Sequence, residues 1–143
     1  MPAFNKFNAF VADVANKVHN LGADTLKVML TDTAPAAANA VKADIAEIAA
    51  GNGYAAGGAA AALVSSGQAA GLYTLKLDPV TFIAEGGPIP ASAGATFRYA
   101  VLYNATPAAG PLIGWYDFGA EQAIVNGNSF TVAFDASGVL TLQ

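Results

Sequence analysis

Between Asn5 and Leu21 the apolar side chains Phe7, Phe10, Val11, Val14, Val18 and Leu21 recur mostly at spacings of three and four, the period of a helix that buries one face. Asp13 and Lys17 stand one turn apart on the other side, and Gly22 follows the last apolar position as a stop. The pattern predicts an amphipathic helix over 5–21, within an N-terminal segment 1–22. Past Gly22 the period falls to two: Leu26, Val28 and Leu30 face one way, Thr25, Lys27, Met29 and Thr31 the other, which predicts a strand. Thr33-Ala34-Pro35 ends it. Val41 to Ala50 reads as a short helix with Val41, Ile45 and Ile48 inward and Lys42, Asp44 and Glu47 outward. A glycine-rich loop, Ala50 to Gly58, follows.

From there no helical period returns. Strand-like runs at Ala59 to Ser65, Leu72 to Leu77, Val80 to Ala84, Thr96 to Tyr103, Leu112 to Phe118, Ser129 to Phe134 and Val139 to Leu142 are separated by Gly, Pro, Asn and Asp. Short strands at such intervals predict a sandwich or barrel. Alternation is cleanest in Phe97, Tyr99, Val101 and Tyr103, and in Phe130, Val132 and Phe134, which are expected to line a core. The expected fold is mainly β, a β-sandwich or jelly-roll-like domain with an N-terminal helix. One domain spans 1–143, with 23–143 mainly β. The loop Glu85 to Ala95, with Gly86, Gly87, Pro88 and Pro90, is the longest candidate for a projecting arm.

Composition changes the picture in one respect. Of the 143 residues, 55% are hydrophobic and 11% charged, where a globular domain usually has about 25% charged. Much of the apolar fraction is Ala, which sits on a surface at little cost. Even so, six basic and ten acidic side chains leave weakly polar patches uncovered, and such patches mark interfaces. The net charge is −4, and the basic residues are scattered, so no nucleic-acid stripe is expected. The Ala/Gly run Ala55 to Val64 is too short and too weakly apolar to span a bilayer. Met1 to Asp13 lacks the apolar run of a secretory signal, so synthesis in the cytoplasm is expected.

Chemistry is sparse. There is no Cys, which removes disulfides, thiolate metal sites and cysteine nucleophiles. The only histidine, His19, has no second ligand type near it and reads as a surface or helix-end residue. No serine lies in a G-x-S-x-G elbow. Asp117 and Glu121 beside Trp115-Tyr116 outline a loose glycosidase pair, but Asp117 reads better as orienting the turn at Gly119. Gly51, Gly53 and Gly57 miss the spacing of a nucleotide loop and suggest only flexibility. Asn104-Ala105-Thr106 reads as a turn rather than a glycosylation site. The aromatics Tyr54, Tyr73, Tyr103, Trp115 and Tyr116 leave a glycan- or receptor-binding module open as a minor reading. The chain is expected to be no enzyme, and no cofactor or metal is implied.

Three segments carry a resemblance: Phe7 to Val11 running into His19-Asn20-Leu21, Leu26 to Pro35, and Ala46 to Tyr54. Phe97 to Asn104, Pro111 to Trp115 and Phe130 to Asp135 extend it over nearly the whole chain. Together they resemble a family of small virion structural proteins of tailed bacteriophages. The resemblance implies a capsid cement or decoration subunit that clamps neighbouring major capsid proteins, with a tail or head-tail connector subunit as the alternative. It implies the virion as location, with synthesis in the bacterial host's cytoplasm. The implied partners are the major capsid protein and further copies of the chain in a homo-oligomer, with no nucleic acid and no membrane. The candidate contact residues are Phe7 and Phe10 on the helix, Pro88, Ile89 and Pro90 in the long loop, and Trp115 and Tyr116. The helix is expected to cap the sandwich, or else to dock on a neighbour.

Overall fold

The computed structural model describes residues 2–143. In chain order the elements are β1 (Phe4–Lys6), α1 (Asn8–Ala15), β2 (Leu26–Thr31), a 3-10 turn (Lys42–Asp44), β3 (Ala59–Ala60), β4 (Leu63–Ala69), β5 (Leu72–Leu77), β6 (Val80–Ile83), β7 (Phe97–Asn104), β8 (Leu112–Gln122), β9 (Ser129–Val132) and β10 (Leu140–Leu142). The fold is mainly β and sandwich-like, with antiparallel pairing and one short N-terminal helix.

One layer is a five-stranded sheet in the order β1-β8-β7-β2-β3; the facing layer comprises β10-β5-β4 and the pair β6-β9. Between them, Leu26, Val28 and Leu30 of β2 meet Leu75 and Leu77 of β5, and Phe82 and Val132 of the β6-β9 pair. The period-two reading of β2 therefore predicts its inner face correctly. On its other face Met29 and Thr31 are buried and Lys27 half-buried. Met29 joins Phe7, Val101, Tyr103 and Leu112 in a second cluster behind the sheet, against Ile45 and Trp115.

That second cluster explains why β7 departs from the expected alternation. Phe97 packs in the main core, whereas Val101 and Tyr103 pack in the rear cluster. The pairing of β7 with β8 is irregular between Phe97 and Tyr99, and such an irregularity moves the following side chains to the opposite face. Phe130, Val132 and Phe134 do contribute to the main core.

The N-terminal segment differs most from its sequence pattern. The helix covers Asn8–Ala15 only. Before it, Phe4, Asn5 and Lys6 pair with Tyr116, Trp115 and Gly114 of β8; after it, Lys17 adopts φ 61° and the chain turns. A strand at the sheet edge takes the first turn of the expected helix, because pairing satisfies backbone groups that a helix start leaves open. Val11 is 56% exposed, so the apolar stripe is narrower than its spacing suggests.

The expected helix at Val41 to Ala50 is instead an extended strap interrupted by the Lys42–Asp44 turn. The strap seals the end of the sheet beyond the short β3. Leu30 O accepts from Ile48 N at 3.1 Å, Leu30 N donates to the Tyr54 hydroxyl at 3.0 Å, and Thr31 bridges Glu47. Glu47, expected outward, receives Tyr54 OH at 2.8 Å and Gly57 N at 2.6 Å. The glycine-rich loop is therefore pinned. Gly58 holds φ 74°, and a Cβ there would collide with the Val28 carbonyl, so glycine serves close approach.

Candidate functional site: an uncharged hairpin with an open edge

β4 and β5 are joined by the two-residue turn Ala70-Gly71, with φ of 51° and 84°. Two consecutive positive φ values make the hairpin connection whose twist matches the strands. The turn is braced by Gly71 N donating to Gln68 Oε1 at 3.0 Å. The run Leu-Val-Ser-Ser-Gly-Gln-Ala of β4 lacks apolar alternation, so neither of its faces has a set of side chains to bury. Every residue from Ala62 to Leu72 is exposed except Ser66, which is half-buried. Leu63 (45%), Val64 (56%) and Leu72 (38%) lie in the open. Residues 48–75 contain no Asp, Glu, Lys, Arg or His, so charge is absent from the whole hairpin above its base at Lys76.

One face of the hairpin looks to the body: Ser66 Oγ and the Tyr73 hydroxyl are 2.7 Å apart. An open groove of about 530 Å³ runs there, lined by Val14, Lys17, His19, Leu21, Ser66 and Tyr73. The other face carries Ser65, Gly67, Ala69, Leu72 and Thr74, all small or uncharged. Beyond β4 there is no further strand among the described residues.

The contact residues expected from sequence are mostly interior. Phe7, Phe10, Ile89 and Tyr116 are 4% exposed or less, and Pro90 is buried. Phe7 and Phe10 anchor the N-terminal segment on the two faces of the large sheet. Trp115 is half-buried, its ring 4.5 Å from that of Phe7. Only Pro88 is exposed, and its carbonyl accepts from Asn52 Nδ2 at 2.8 Å. The loop expected to project is fastened where Ile89 and Ile124 exchange backbone hydrogen bonds of 2.9 and 2.8 Å. A loop rich in Gly and Pro is thus tied down, while the β4 strand of the hairpin lies exposed. The absence of charge and of alternation over 63–69 is the sequence signal for that hairpin.

Three of the polar candidates, Asp117, Asn104 and His19, sit in hydrogen-bonded clusters. Arg98 Nε and Nη2 donate to Asp117 at 2.7 and 2.9 Å, and Asp117 Oδ1 also accepts from Gly119 N at 2.8 Å. The Arg98 guanidinium, with that N–H, holds the Asp117 carboxyl below its usual range, the reverse of what a general acid needs. Asn104 is fully buried. Its Oδ1 accepts from Thr106 N at 3.0 Å and its Nδ2 donates to Asp24 Oδ2 at 2.6 Å, so the triplet is a turn. With the amide so fixed, Nδ2 also donates to His19 Nδ1 at 3.1 Å. His19 is therefore no surface residue: its side chain is 0% exposed, and Nε2, which then carries the proton, has no partner within hydrogen-bonding distance among the described residues. Asp13 Oδ2 is 3.9 Å away. Burial lowers the His19 pKa, with Asp13 and Asp24 pulling the other way.

Among the described residues no group of three His, Cys, Asp or Glu is placed to hold a metal ion, and no helix is long and apolar enough to cross a membrane. Comparison with protein families, curated proteins and solved structures finds no match.

Proposed function

We propose that this chain is a non-catalytic structural subunit of an assembled particle, a capsid cement or decoration protein of a tailed phage that clamps the major capsid protein shell. The observation that carries the reading is β4, the outer strand of the β4-β5 hairpin, which is exposed except at half-buried Ser66 and uncharged over its length. β5 is paired on its inner side with β10, so only β4 is left open, and exposed apolar positions on an uncovered edge invite association. The sealed core behind it supplies a rigid base. Low charge limits the desolvation cost when such a surface is covered. Many copies on one shell would add avidity to contacts that are individually weak.

The test is location. Mass spectrometry and electron cryomicroscopy of the particle of the encoding phage are expected to find this chain on the outer shell. Density confined to the tail or connector would replace the cement role with the alternative structural one, and absence from the particle would overturn both.

A further inference from the structure

The chain treats its sheet edges unequally. Beyond β3 the strap occupies the backbone groups of Leu30 and Thr31. The β1 edge is three residues long and includes Lys6. β4, by contrast, has seven residues, and among the described residues its backbone pairs with β5 alone. It carries no Pro, no charge and no covering segment, the devices by which edge strands are normally kept from pairing. It does have an irregularity between Leu63 and Ser65, which confines the regular edge to Ser65–Ala69. An edge of this kind is completed by hydrogen bonds to another strand, because half of its N–H and C=O groups point outward.

We propose that the open β4 edge pairs with β4 of a second copy of this chain, antiparallel and centred on Gly67, joining two hairpins into one continuous sheet. The second copy is the favoured occupant for three reasons. It presents an equally open strand, and a twofold axis satisfies both at once. The chain carries −4, yet the contact would lie within the uncharged run 48–75, so two copies meet without like charges facing each other. Finally, Ser65, Gly67 and Ala69 on the outer face are small, so nothing obstructs approach. Gly67 is the midpoint of the regular segment, and a Cβ there would meet open space with no positive φ to strain it. The inference deepens the assembly reading and rests on it for its purpose, by naming one partner and one seam.

Position 67 tests it, because a centred antiparallel pair places the two copies of residue 67 directly opposite. Their Cα atoms would be about 4.5–5.5 Å apart, within the range a disulfide bridges. In a chain without Cys, Gly67→Cys is expected to form a disulfide dimer on mild oxidation faster than Val125→Cys, which is 65% exposed elsewhere. Gly67→Lys, which sets two ammonium groups face to face, is expected to raise the dimer dissociation constant in sedimentation equilibrium at least about tenfold. Its thermal melting as a monomer should match the wild type, which separates lost pairing from lost folding. A wild-type chain that stays monomeric at millimolar concentration overturns the proposal. So does a dimer indifferent to Gly67→Lys, or a Gly67→Cys variant that cross-links no faster than the control, or a different protein's strand found on β4 in the particle. A monomeric chain found on the shell sinks the seam and leaves the cement reading standing. A β4 dimer absent from the particle does the opposite.

Discussion

Tyr54→Phe probes how the strap is held to the large sheet. The Tyr54 hydroxyl accepts from Leu30 N at 3.0 Å and donates to Glu47 Oε1 at 2.8 Å, and the side chain is 2% exposed. Removing one oxygen leaves the Leu30 N–H buried with no acceptor, since Leu30 is itself 0% exposed. A buried donor stripped of its partner costs about 1–3 kcal/mol. Glu47 keeps Gly57 N at 2.6 Å but no longer accepts from the Tyr54 hydroxyl, and the loss of that bond to a carboxylate places the expected cost at about 2–3 kcal/mol. For a chain of this length that is a fall in melting temperature of roughly 6–12 °C. Urea unfolding followed by circular dichroism measures the free energy directly, with an unchanged slope against denaturant indicating that the folded state is intact. Tyr73→Phe is the matched control. Its hydroxyl meets only Ser66 Oγ at a half-buried site, and its loss should be about 0.5 kcal/mol. A Tyr54→Phe loss below about 0.5 kcal/mol, or equal losses in the two variants, would refute the idea that the hydroxyl completes the β2 edge.

Four further outcomes follow from the same structure. Phe7→Ala and Phe10→Ala should each cost about 3–5 kcal/mol in urea unfolding, and deletion of residues 1–21 should abolish folding rather than assembly alone, because both rings are core. Gly58→Ala should cost at least about 2 kcal/mol through its clash with Val28, while Gly86→Ala, at a similar φ in open space, should cost about 1 kcal/mol for the left-handed conformation alone. Stability should fall as pH drops below 6.5. The folded His19 has a lowered pKa, so the unfolded chain binds the proton first, and the contribution present above 6.5 is lost below it; His19→Gln should flatten a urea-midpoint profile between pH 7 and 5. At the alkaline end the sign is reversed. Burial pushes Tyr54 and Tyr103 up and Tyr116 up to about 12, so stability should be full below pH 10 and decline above it. A spectrophotometric tyrosine titration should show phenolate absorbance lagging in the folded state.

Much of the strand pattern was legible because local periodicity and turn residues act over a few positions. Leu72–Leu77 matches its expected run, and β6, β7, β9 and β10 differ at their ends by one or two residues. Where the reading failed, a distant partner had intervened. Phe7 and Phe10 have the spacing of a helix stripe, yet Phe7 sits behind the large sheet because Phe4–Lys6 pairs with β8, a strand more than a hundred residues away. Val41 to Ala50 has helical spacing, but the vacant flank of β2 offered extended backbone better hydrogen bonding than a short helix. His19 looked isolated because Asn104, Asp24 and Asp13 converge on it from separate elements.

The sequence by itself determined the class of the molecule: strands set by period-two stretches, no cysteine chemistry, and too little charge to cover the surface. These depend on composition and on neighbours a few residues apart. Only the tertiary structure decided which parts of that weakly charged chain were exposed. Glu85 to Ala95, with the loop composition of a projecting arm, is drawn in by Ile89 and Ile124, whereas Leu63 to Leu72 forms a strand and turn that stay exposed. Burial is a property of which strands meet, and a one-dimensional pattern does not record which edge is left without a neighbour.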